Sequence, residues 1–164
     1  MNPLPFQLLA ERLKQRRWML ATAESCTGGL IASRCTDLAG SSTWFDRGFV
    51  TYSNVSKHQM LGVPEAMLAQ HGAVSEPVAK AMALGAVYRS TAAISVAVTG
   101  VAGPSGGSPE KPVGTVWLAW CINGCVHTEL MHFSGNRDQI REATTSHAID
   151  GLLKRIPPSH EALA

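Results

Sequence analysis

Residues 18–37 read WMLATAESCTGGLIASRCTD, and this stretch decides the fold. WMLATA at 18–23 is a short apolar run of the length of one buried strand. Glu24-Ser25-Cys26-Thr27-Gly28-Gly29 breaks that run and ends in paired glycines, so it forms a tight turn. A helix over roughly 28–37 follows. Upstream, residues 5–17 carry Leu8, Leu9 and Leu13 at helical spacing, with Arg16 and Arg17 closing the end.

The same alternation continues downstream. FDRGFVTY at 45–52 is a second strand, after which Ser53 or Asn54 caps a short helix through 60. Val63-Pro64 opens another short helix. Pro77, near the first turn, starts an alanine-rich helix over 76–89. AAISVAV at 92–98 is apolar throughout, as in a strand covered on both faces. A loop rich in glycine and proline runs from Val101 to Pro112. Residues 114–121 and 125–133 pair across Asn123-Gly124, a hairpin turn, and a last helix spans 136–155 before Pro157-Pro158. Helices alternating with strands predict a three-layer α/β/α sandwich with a mixed, mostly parallel sheet closed by the C-terminal hairpin. The 164 residues fit one domain, with its core over about 5–156. Ligands of such sheets bind at the carboxyl ends of strands, here the loops 24–29, 52–57 and 99–112.

Composition narrows the function. Hydrophobic residues make up 45%, charged residues 16% and aromatic residues 6%, with a formal net charge of +2. No basic stripe is present, which argues against nucleic acid. No run of about 18 apolar residues exists, and charges from Glu11 to Arg17 interrupt the apolar start. No membrane span or secretion signal is therefore expected. Cys26, Cys35, Cys121 and Cys125 form no CxxC pair. Cys121 and Cys125 fall on opposite faces of the hairpin, so reduced thiols and a cytoplasmic location follow. Without HExxH or a run of Asp and His at ligand spacing, neither a metal nor a cofactor is expected.

Ser25 stands where strand becomes helix. It is either an N-cap or a nucleophile facing the backbone N–H groups of residues 26–29, which can hold an oxyanion. None of His58, His71, His127, His132, His147 or His160 forms a triad pattern, so the alternative base is a lysine. Lys57, in the first turns of the helix after Tyr52, is the candidate. Burial there would lower its pKa, whereas an exposed position would leave it a solvated helix lysine. Tyr52 could orient Lys57 or donate to a leaving group. Cys26 is a rival nucleophile near the helix end. The loop Thr99-Gly100-Val101-Ala102-Gly103-Pro104-Ser105-Gly106-Gly107 can cradle phosphate, though it lacks the Gly-Lys-Ser/Thr ending of a P-loop. Arg137 and Arg141, four apart, share one helix face, which suits either phosphate or solvent.

Together these motifs carry a resemblance. TAESCTGGLIASRCTDLAGSS at 22–42, GFVTYSNVSKHQMLGV at 48–63 and HGAVSEPVAKAMA at 71–83 are three of its stretches. AVTGVAGPSGGSPEKPVGTVWLA at 97–119 and FSGNRDQIREA at 133–143 are the others. Over about residues 5–155 the chain resembles the CinA C-terminal domain family, whose stand-alone members deamidate nicotinamide mononucleotide (the PncC type). The resemblance implies an amidohydrolase with catalytic Ser25, Tyr52 and Lys57. It implies a substrate site drawn from Cys26, Thr27, Gly28, Thr99, Gly100, Gly103, Gly106, Gly107 and Arg141. It also implies a small nucleotide substrate and a homodimer. A non-catalytic nucleotide-binding module of the same family is the alternative. Asn136 and Trp117 depart from the family pattern, where an Asp and a smaller or tyrosine-like residue are commoner.

Overall fold

The computed structural model describes residues 2–159, so His160 lies outside the described residues. The chain opens with α1 (Leu4–Arg16), whose Phe6, Leu9 and Leu13 are buried. Each such side chain removed from water contributes about 2 kcal/mol. Arg17 adopts the left-handed conformation that ends this helix. Then come β1 (Leu20–Glu24), α2 (Leu30–Thr36), β2 (Phe45–Val50), α3 (Asn54–Leu61), α4 (Glu65–His71) and α5 (Glu76–Tyr88). The strands β3 (Ile94–Gly100), β4 (Thr115–Ile122) and β5 (Cys125–His132) follow, and α6 (Arg137–Arg155) completes the order. Asn136 caps α6 by accepting from the Gln139 N–H at 2.9 Å, the task an Asp would perform there.

The five strands lie in the order β2-β1-β3-β4-β5. β1 pairs in parallel with both β2 and β3, whereas β3–β4 and β4–β5 are antiparallel. The sheet is therefore mixed, as expected, but half its pairings are parallel rather than most. It is also open. The hairpin forms one edge and β2 the other, which corrects the expectation of closure. The reason lies in residues 101–112, which contain no helix. Without a crossover helix the chain can only turn back, so β4 runs antiparallel to β3.

Alternate strand residues feed two cores. Leu20, Ile94, Val96, Val98, Leu118 and Trp120 meet α1, α2 and α6 on one face. Ala21, Ala23, Ala97, Ala119 and Cys121 meet α3, α4 and α5 on the other. The small residues on that second face match Ala79, Ala83 and Ala86 of α5, so helix and sheet approach closely. Ser95 makes use of the short gap, its hydroxyl donating to the Ala83 carbonyl at 2.7 Å.

On the first face the Trp120 indole N–H donates to the Ala148 carbonyl at 2.9 Å. A side chain at Gly151 would fall inside the Trp120 ring. Gly151→Ala should destabilise the fold by about 1–3 kcal/mol through overpacking, despite the better helix propensity of alanine. Urea unfolding checks this, and an unchanged midpoint would contradict the packing described.

Candidate active site

β1, β2 and β3 run in one direction, so their carboxyl ends open on the same edge of the sheet. β5 also ends there, and α6 begins close by. The three loops expected to bind ligand meet around a cavity of about 310 Å³, within the range of small-molecule sites. Ser25, Cys26, Tyr52, Lys57, Thr99, Gly100, Gly103 and Gly106 line it, together with Asn54, Ala73, Val74 and Arg137. Thr27, Gly28, Gly107 and Arg141 do not.

The Ser25 turn is held from behind. The Ser25 N–H extends the β1–β3 ladder by donating to the Val98 carbonyl at 3.1 Å. The Ser25 carbonyl accepts from the Gly28 N–H at 3.0 Å, closing a β-turn over 25–28. Gly28 and Gly29 have φ of 60° and 101°, so α2 cannot begin before Leu30, and Gly29 is its N-cap. Ser25 is thus not a capping residue. Nor does the helix end supply donors to the cavity, because the Ile31 and Ala32 N–H groups are already taken. They donate to the buried Glu24 carboxylate at 2.8 and 3.0 Å. Thr27 and Thr22 hydroxyls donate to the same carboxylate at 2.7 and 3.2 Å. The donors left over are those of the turn itself. Among the described residues, the N–H groups of Cys26 and Thr27 have no acceptor.

Arg141 also belongs to this scaffold. Its Nε donates to the Cys26 carbonyl at 3.1 Å and its Nη2 to the Thr27 carbonyl at 3.0 Å. Arg141 was expected to hold substrate phosphate, and the structure places it outside the residues that line the cavity. The residue four positions earlier, Arg137, is the arginine at the cavity. Glu24 went unselected in the sequence, although its signal was the lone acidic residue at the strand–turn junction. Arg137 was read only together with Arg141, as suiting either phosphate or solvent.

Lys57 Nζ lies 3.0 Å from Ser25 Oγ and donates to the Thr51 carbonyl at 2.8 Å. The geometry follows from the start of α3, where Ser53 accepts from the Ser56 N–H at 3.1 Å and Ser56 returns the bond in a capping box. That fixes the first turn and projects Lys57 inward, leaving 1% of it exposed. Burial pushes the Lys57 ammonium below its ordinary pKa, because no carboxylate offsets the lost hydration. The charge of a Cys26 thiolate would oppose this. Burial, however, pushes the Cys26 thiol up to about 12, so near neutral pH it is uncharged. The same burial works against the thiolate that a Cys26 nucleophile needs.

Tyr52 is 61% exposed at the rim, and its hydroxyl accepts from Arg137 Nη2 at 2.8 Å. That hydroxyl makes no bond to Lys57 here, whose Nζ donates to the Thr51 carbonyl. Thr99 is buried and donates to the Ala73 carbonyl at 2.9 Å, tying the loop before α5 to the end of β3. Among the described residues no three His, Cys, Asp or Glu side chains converge in a manner that could hold a metal, and no helix is long and apolar enough to cross a membrane.

Fold and site together define a class: an open α/β sheet with a buried serine–lysine pair facing a cavity at its strand ends. The sequence profile of the CinA C-terminal domain matches residues 6–156. The chain belongs to the CinA C-terminal domain family. It is 54% identical over 145 residues to the nicotinamide-nucleotide amidohydrolase PncC of Escherichia coli (strain K12), covering 88% of each chain. It is 56% identical over 142 residues to a CinA-like protein of Akkermansia muciniphila, covering 86% of this chain and 34% of that protein. The chain thus spans about a third of that relative's length. Among solved structures, competence/damage inducible protein CihA from Agrobacterium tumefaciens is 49% identical, with a TM-score of 0.86 over 92% of this chain and 94% of that one. A CinA superfamily protein from Klebsiella pneumoniae is 36% identical, with a TM-score of 0.91 over 95% and 98%.

The lowered Lys57 value has a consequence for stability. Between that value and the ordinary lysine value, the unfolded chain holds a proton that the folded chain has lost. Stability therefore climbs with pH across this window, by about 1.4 kcal/mol for every pH unit separating the two values. Lys57→Met lacks the climb. Urea unfolding at about pH 7 and about pH 10 should show the wild type gaining on the variant as pH rises. Parallel responses would mean that the folded lysine titrates normally.

Proposed function

We propose that this chain hydrolyses the carboxamide of nicotinamide mononucleotide to nicotinate mononucleotide and ammonia, with Ser25 as nucleophile and Lys57 as base. The observation that carries the chemistry is the 3.0 Å contact between Lys57 Nζ and Ser25 Oγ in a buried position. The substrate comes from relatives more than half identical that bear the name nicotinamide-nucleotide amidohydrolase.

In the proposed reaction, an uncharged Lys57 amine accepts the Ser25 hydroxyl proton as Oγ bonds to the carboxamide carbon. The Thr51 carbonyl keeps the Nζ lone pair directed at Ser25. Negative charge forms on the carboxamide oxygen, and the unpaired N–H group of Cys26, which lines the cavity, stabilises it. Because the turn is fixed by Glu24 and Arg141 beforehand, this donor needs no reorganisation. Lys57 then gives its proton to the departing nitrogen, the C–N bond breaks and ammonia leaves. Water adds to the acyl ester while Lys57 takes its proton. The C–Oγ bond breaks, the proton returns to Ser25, and the carboxylic acid ionises.

Ser25→Ala should lower kcat for ammonia release from nicotinamide mononucleotide by about three orders of magnitude or more, with KM little changed. Wild-type kcat/KM should rise with pH through the lowered Lys57 value, below the ordinary lysine range, because the neutral amine is the active form. Ammonia release measured enzymatically across pH checks both. Ordinary turnover by Ser25→Ala would end the nucleophile assignment.

A further inference from the structure

We infer that Arg137 is the anion anchor of this site, so that the cavity selects substrates carrying a phosphate away from the reacting carbonyl. The inference rests on the proposed amidohydrolase reading and specifies how its substrate is chosen.

Among the described residues, the charged groups lining the cavity are Lys57 and Arg137, and no carboxylate lines it. Lys57 lies at the chemical end beside Ser25, with its Nζ 3.0 Å from Ser25 Oγ. Arg137 is therefore the lining cation, among the described residues, that stands apart from the reacting pair. It makes no ion pair with any described carboxylate, although Arg34, Arg47 and Arg155 all do. A cation beside a cavity without a countercharge attracts an anion from solution.

The guanidinium is also held in position. Its Nη1 donates to the Gly103 carbonyl at 2.7 Å and its Nη2 to the Tyr52 hydroxyl at 2.8 Å. Both acceptors border the cavity. They are neutral, so a phosphate oxygen, which makes the stronger charge-assisted bond, would compete well for either donor. Arg141 does not line the cavity, and its Nε and Nη2 donate to the Cys26 and Thr27 carbonyls of the Ser25 turn.

Two readouts test the assignment. Calorimetric titration with ribose 5-phosphate, which has no carboxamide, reads the anion site without turnover. Arg137→Gln should weaken binding by about a hundredfold, and Arg137→Lys should recover only part of it because a lysine lacks the fork. In turnover, the ratio of kcat/KM for nicotinamide mononucleotide to that for nicotinamide riboside should fall by about the same factor in Arg137→Gln. Equal ribose 5-phosphate affinity in wild type and Arg137→Gln, or a fall in both substrates that leaves the ratio intact, would overturn the proposal. If the wild type releases no ammonia but Arg137→Gln still loses ribose 5-phosphate, the anchor stands and the amidohydrolase reading fails.

Discussion

The proposed chemistry depends on one arrangement, a lysine amine buried against a serine hydroxyl with no described carboxylate beside it to keep it charged. A solvated lysine would stay protonated near neutral pH and could accept nothing from Ser25. Burial works against that charge by making it costly, and lowers the Lys57 pKa. The fold meets the cost by fixing both partners from behind. Ser25 is set by the β1–β3 ladder and its own turn, and Lys57 by the capping box of α3 and the Thr51 carbonyl.

Glu24 and Arg141 show how the surroundings keep their charges away from that pair. Both stand next to the Ser25 turn, and each spends its side chain on backbone groups. Glu24 satisfies the first N–H groups of α2, and Arg141 satisfies carbonyls of the turn. The turn is held from both sides, and the unpaired N–H group that it leaves at the cavity is that of Cys26. Such preorganisation is the largest electrostatic contribution most enzymes make.

Much of this was legible in the sequence because the local signals agree with the global fold. The apolar run at 92–98, the Asn123-Gly124 hairpin and the Ser53 cap all became the elements that they announce. Three loops at strand ends placed the cavity. The errors have one physical source: sequence spacing gives the face of an element but not the neighbour that face meets. Arg137 and Arg141 share a helix face, yet one turn of α6 carries the first to the cavity and the second to the back of the Ser25 turn. Gly28 and Gly29 looked like helix, but their left-handed φ values belong to the turn before it. Closure of the sheet was expected from a C-terminal hairpin, yet nothing in that hairpin reaches the β2 edge.

The most direct measurement is the titration of Lys57 itself in the folded protein. Carbon NMR of the lysine ε-methylene groups, with Lys57→Met identifying the resonance, follows the proton on Nζ. The account predicts one lysine that loses its proton below the range of the others, moving back toward them when the chain unfolds. A Lys57 signal that titrates with the solvent-exposed lysines, near about 10.4, would contradict it.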